Sequence, residues 1–143
     1  MYFLSEQAQT IISALKTVPI LGTVAWLDDD QMMPASPAKM PAAWVVLENL
    51  DLDRTATPPT MGLVTWAVIL KAKRLRVDAL TGELPILGIA DSIINCLHGL
   101  RGPKAWARPL GFVRMDCVDM ESEAAAYMLR FTTNIYQMYK KTT

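Results

Sequence analysis

The segment Ala124 to Tyr139 (AAAYMLRFTTNIYQMY) reads as a single strand of about 15 residues, against about 5–6 for an ordinary strand. At roughly 3.3 Å per residue it would reach some 50 Å, farther than the interior of a small domain allows. Pro109 to Val118 (PLGFVRMDCV), just before it, has the same character. A strand of that length is expected to overhang its own domain, and an overhanging edge pairs with whatever chain is near. Assembly is therefore the first functional class to consider.

The 143 residues suit one domain, 1–143, with one core. Apolar residues make up 52% of the chain, above the usual range of about 45–50%. Nine methionines and four tryptophans add to that surface. It either fills the core or is buried between subunits, where Met and aromatic residues are enriched. The net charge is zero, so no global field draws the chain to nucleic acid. The charge is nevertheless uneven. Met1 to Asp53 holds seven acids and two bases, and Lys71 to Arg114 eight bases and three acids. A domain with two such poles can bind its own copies head to tail, although solvated charge on loops is the plainer reading of any one residue. Cys96 and Cys117 sit among apolar neighbours and read as buried, reduced thiols. The first residues (MYFLSEQAQT) lack a signal-peptide pattern, and no apolar run reaches the ~20 residues that cross a bilayer, so no membrane is expected as a partner.

Leu4 to Val18 is predicted to be an amphipathic helix. Leu4, Ala8, Ile11, Ile12, Leu15 and Val18 fall on one stripe about 120° wide, and Pro19 stops it. Ile20 to Leu27 reads as a strand ended by Asp28, Asp29 and Asp30. The prolines at 34, 37 and 41 break any regular element before the next strand, Ala42 to Leu50. The stretches about 28–42 and 51–60 are expected to protrude as loops. Met61 to Val77 is a long third strand whose core face is Val64, Trp66, Val68, Leu70 and Ala72. Leu84 to His98 is a second helix, with Pro85 in its first turn and Gly99 at its end. Its apolar arc of about 160° is wide enough to lie on a sheet. The economical architecture is α+β, an antiparallel β-sheet with the two amphipathic helices packed on one face.

The search for chemistry finds little. His98 is the single histidine; Cys96, two residues away, points about 200° around the helix and cannot share a metal with it. Asp91, Asn95 and His98 share a face that reads as solvated. There is no G-x-S-x-G elbow, Walker loop or dinucleotide fingerprint. The three aspartates at 28–30 have no spaced partner that would complete a calcium loop. Lys71, Lys73, Arg74 and Arg76 lack the interleaved aromatics of a nucleic-acid surface. No cofactor, metal or catalytic residue is assigned, and the chain is not expected to be an enzyme.

The order of these pieces resembles a known family. The N-terminal helix, the strand reaching Trp26, PAAWVVLENL, WAVILKAKRLRVD, GIADSIINCLHGL and AAYMLRFTTNIY together resemble the tail-terminator proteins of Mu-like tailed bacteriophages and prophages. The resemblance runs over nearly the whole chain, and its most telling parts are the helix ending Cys96-Leu97-His98-Gly99 and the strand Leu129-Arg130-Phe131-Thr132-Thr133. It implies a homohexameric ring that caps the tail tube, stops its polymerisation and offers a joining surface to the head. The implied partners are copies of itself, the tail-tube protein and the head–tail connector protein, with DNA passing through the lumen. The implied location is the virion tail or neck, assembled in the host cytoplasm. A ring needs a head-to-tail contact that closes.

On that reading the candidate interface or lumen residues are Asp28, Asp29, Asp30, Met32, Met33, Asp51, Asp53 and Arg54, with Lys71, Lys73 and Arg74 as the complementary pole. Asp28 to Asp30 would line the lumen and let DNA slide. A neck or head–tail connector ring is the alternative, and a small ligand-binding α+β domain or enzyme a further one.

Overall fold

The computed structural model describes residues 3–27, 39–52, 61–73, 84–102, 108–120 and 124–136. In chain order the elements are α1 (Phe3–Leu15), β1 (Thr23–Trp26), β2 (Ala42–Leu52), β3 (Met61–Lys73), α2 (Pro85–Leu97), β4 (Gly111–Met120) and β5 (Ala124–Tyr136). The strands form one five-stranded sheet in the order β1-β2-β3-β5-β4. The fold is α+β.

The final strand does not overhang over its described residues. All of β5 from Ala124 to Tyr136 pairs with β3 from Lys73 back to Met61, rung for rung. The reason is that β3 is equally long, so the two 13-residue strands satisfy each other's backbone. On its other side β5 takes β4, from Ala125 to Thr132. The strand expected to seek an outside partner is thus interior to the sheet. Residues 74–77 and 137–139 of the expected strands lie outside the described residues.

The expected antiparallel pairing holds for β2–β3, β3–β5 and β4–β5, but β1 runs parallel to β2. A parallel pair needs a crossover of about a dozen residues or more. The fourteen positions from 28 to 41 supply that length, where a hairpin would not. β1 is also shorter than expected. Gly22 precedes it because a Cβ there would meet the Lys39 carbonyl oxygen at 2.9 Å.

Both helices pack on one face of the sheet. α1 contributes Ala8, Ile11, Ile12 and Leu15, and α2 contributes Ile89, Ala90, Ile93 and Leu97. They meet the β3 face foreseen from the alternation, Val64, Trp66, Val68, Leu70 and Ala72, together with Leu129 and Phe131 of β5. Phe131 also takes the edge of Phe112 at 5.6 Å between centroids. α1 stops at Leu15, three residues before the expected Val18. Thr17 and Val18 instead close i to i+3 bonds onto Ala14 and Leu15, and Val18 stays buried. Cys96 is half-buried and donates to the Ala14 carbonyl at 3.2 Å, tying α2 to α1. Cys117, expected to be buried, is exposed because β4 is an edge strand.

α2 begins with Pro85 at its first turn and ends at Leu97, with Gly99 beyond it at φ 82°. The Gly99 N–H donates to the Leu110 carbonyl, and the Leu110 N–H returns to Leu100. His98 completes the joint: its Nδ1 accepts the Phe112 N–H at 3.0 Å. The α2 exit is thereby fastened to the start of β4.

A polar contact between side chains lies within the core. The Trp66 indole N–H donates to Gln7 Oε1 at 3.0 Å, while the buried Gln7 Nε2 finds no acceptor among the described residues. Replacing one partner strands the other, so Gln7→Leu and Trp66→Phe are each expected to cost about 1–3 kcal/mol. The double variant should cost less than their sum by about 1 kcal/mol. Denaturant unfolding of the four proteins checks this; strict additivity would show that the bond contributes nothing.

Candidate functional site

The face of the sheet without helices carries the charged residues that the strands hold. Alternation along β2 and β3 places Asp51, Lys71 and Lys73 on this face, opposite the row that includes Trp66 and Leu70. Asp51 is exposed at one end of the sheet, in register with the exposed Leu63. Lys71 lies at the other end between Ala42 and Ala126, and Lys73 opposite Ala124. Eight residues of β3 separate the Leu63 and Lys71 registers, about 27 Å. Asp51 and the two lysines are therefore brought to one face but held at its opposite ends, and Asp119 of β4 joins the lysine end, in register with Lys71 through Ala126. Asp28, Asp29, Asp30, Met32, Met33, Asp53, Arg54 and Arg74 lie outside the described residues.

Between those ends runs a belt of ion pairs that the sequence reading missed. Arg130 on β5 donates from Nε to both carboxylate oxygens of Glu48, at 2.8 and 2.9 Å, and from Nη1 to Asp116 on β4. Arg114 grips the same Asp116 through two bonds of 2.8 and 2.7 Å. The belt spans β2, β5 and β4, passing over β3 where Ala67, the partner of Arg130, leaves room. Glu48 reaches it because it is the extra residue of a bulge between Leu47 and Asn49. The available signal was charge set among the apolar residues of three strand segments, Glu48 in β2, Arg114 and Asp116 in β4 and Arg130 in β5.

The belt holds its charges in fixed states. The hydrogen bond from Arg114 keeps the Asp116 carboxyl below its usual range against partial desolvation, and the charges of Arg114 and Arg130 add to that. Arg114 is raised in turn by the same bond. Two carboxylates answered by two guanidiniums make a neutral clasp. Among the described residues no three His, Cys, Asp or Glu side chains converge as a metal site. His98, Asp91 and Asn95 are all exposed, as expected, but His98 is committed to the Phe112 N–H.

The helix-bearing face has a concavity beside the sheet edge formed by β1. It is an apolar groove of about 430 Å³, walled by Leu4, Ala8 and Ile12 of α1 and by Trp26, and floored by Leu47 and Trp66. Trp26 stands edge-on to Trp66, with centroids 6.3 Å apart and planes at 77°.

No known protein family and no curated protein matches this sequence. The fold does have a solved counterpart, a chain from the virion of a native gene transfer agent particle. The two share 14% sequence identity and superpose with a TM-score of 0.51, over 94% of this chain and 95% of that one. This is a likeness of fold.

Asp116 supplies a pH test of the belt. Its folded pKa is depressed, so its stabilisation is complete above about pH 4 and is lost as pH falls through the depressed value. Asp116→Asn is expected to flatten the acid limb of the Tm–pH curve below about pH 4. Superimposable limbs for the two proteins would remove the belt from the stability of the fold.

Proposed function

We propose that this chain is a structural virion protein, a tail terminator whose copies close into a hexameric ring on the last ring of the tail tube. The observation that carries this reading is the likeness of fold to a virion chain over nearly the full length of both proteins. The order of elements that resembles tail terminators points the same way. In this reading the protein is not an enzyme. It works by shape, covering the surface on which the next tube subunit would add and presenting a new surface to the head connector.

The two poles fit that task. A terminator touches one partner on each side along the tube axis. The helix-free face offers Asp51 at one end of its strands and Lys71 and Lys73, with Asp119 beside them, at the other. The ion-pair belt between them keeps the intervening charges neutralised, so that the ends are what a partner senses. DNA would pass through the ring lumen, and assembly would take place in the host cytoplasm.

Tube polymerisation in vitro tests the proposal. Purified tail-tube protein polymerised with a small fraction of this protein is expected to give short tubes of arrested length, each carrying density at one end. Lys71→Glu with Lys73→Glu should leave the fold intact and abolish arrest, because Lys73 is exposed and Lys71 is only half-buried. Tube lengths that ignore the wild-type protein would overturn the terminator reading, and binding to the connector protein alone would replace it with a neck ring.

A further inference from the structure

The two sheet edges carry features that answer each other. The outer edge of β4 is covered only at its start, where His98 takes the Phe112 N–H and Leu100 and Gly99 bond Leu110. From Val113 to Met120 that edge has no strand partner among the described residues. The strand bulges twice in this stretch, between Phe112 and Arg114 and between Cys117 and Asp119. The residues skipped by the ladder are two valines, Val113 and Val118, which are 51% and 48% exposed. Protective edges put charge or proline at such places, whereas this edge puts aliphatic side chains there.

At the opposite end of the sheet, β1 has a bare outer edge among the described residues. It carries Trp26, 43% exposed, on the rim of the apolar groove, and Ile20 stands exposed just before it. One end of the sheet thus offers a concave apolar seat with a tryptophan, the residue type that most often anchors interfaces. The other offers a convex strand with projecting valines. The terminal charges fix a polarity. Lys39 is exposed beside the first residue of β1, its carbonyl accepting the Thr23 hydroxyl at 2.8 Å, and Asp119 is exposed near the end of β4. Set antiparallel, β4 of one copy brings Asp119 to Lys39 of the next.

We infer that the β1 edge and its groove seat the free part of β4 from a second copy of this chain, so that one sheet continues into the next. The pairing is strand addition, with backbone hydrogen bonds supplying affinity and the groove supplying selectivity. Because the two surfaces differ and lie at opposite ends of the module, the contact is heterologous and propagates around a ring. This inference deepens the ring reading and rests on it for closure.

The exposed Cys117 on β4 makes the contact testable in the full-length protein. In a Cys96→Ala background, Val24→Cys on β1, on the same sheet face as Cys117, is combined with the native Cys117 and treated with a short bismaleimide, with and without tail-tube protein. A ladder of covalent multimers is expected, and it should vanish when Cys117→Ala is added. Val113→Asp with Val118→Asp should raise the concentration for half-assembly by about 100-fold, since each carboxylate would be buried without a partner. The thermal midpoint of the monomer should stay unchanged, because both valines are half in solvent. Rings that persist in the double aspartate variant, with no ladder, would overturn this contact and leave the ring reading standing. Cross-links through Cys117 alone would show a two-fold β4–β4 dimer, and cross-links of Val24→Cys only to tube protein would show a different occupant; either overturns it. A wild-type protein that stays monomeric even beside tube ends would end both readings.

Discussion

Everything in this molecule hangs on the pairing of β3 with β5. Thirteen residues of one meet thirteen of the other without a break in register. The pairing satisfies the backbone of two long strands at once and aligns the apolar rows that the helices cover. Trp66 and Phe131 are direct neighbours in that ladder, and Val68 pairs with Leu129, so the central core is set by the register alone. A slip of one residue would turn each of these side chains to the opposite face. The helices could then find no apolar floor, and the belt would lose Arg130 from its centre.

The same register divides labour between the faces. On one side α1 and α2 bury their stripes and leave a groove beside β1. On the other, charge is admitted, but only in answered form through the middle: Glu48, Arg130, Asp116 and Arg114 saturate one another. Half-exposed ion pairs of this kind add little net stability by themselves. Their use here is positional, since Arg130 connects β2 with β4, which do not touch in the sheet.

Much of the architecture was legible in the residues. The stripe of α1, the arc of α2 and the alternation of β3 each report a period, and a period survives without knowledge of the partner. The core face of β3 was readable residue by residue for that reason. What could not be read were relations between segments. The length of β5 was visible, but not that β3 would match it, so an interior strand looked like an overhang. The parallel entry of β1 depends on where the chain crosses over between residues 28 and 41, which no local pattern records. The belt was hidden for the same reason: Glu48, Asp116 and Arg130 are far apart in sequence, and each alone looks like a solvated charge. Of the expected interface positions, Lys71 and Lys73 share the β3 face that alternation gave them, whereas Asp51, expected in a loop, is carried on β2, and the distance between them required the register.

Three residues take no rung in this sheet: Glu48, Val113 and Val118. Each is supernumerary to the hydrogen-bond ladder, so its side chain is released from the strict in-and-out alternation of its strand. One turns that freedom inward to a guanidinium, and two turn it toward solvent. It follows that the chain could shorten by one position at each of these sites with every neighbouring pair left in step. Natural variation in length should therefore gather at these three points, where a deletion alters what the sheet displays but leaves the way it closes untouched.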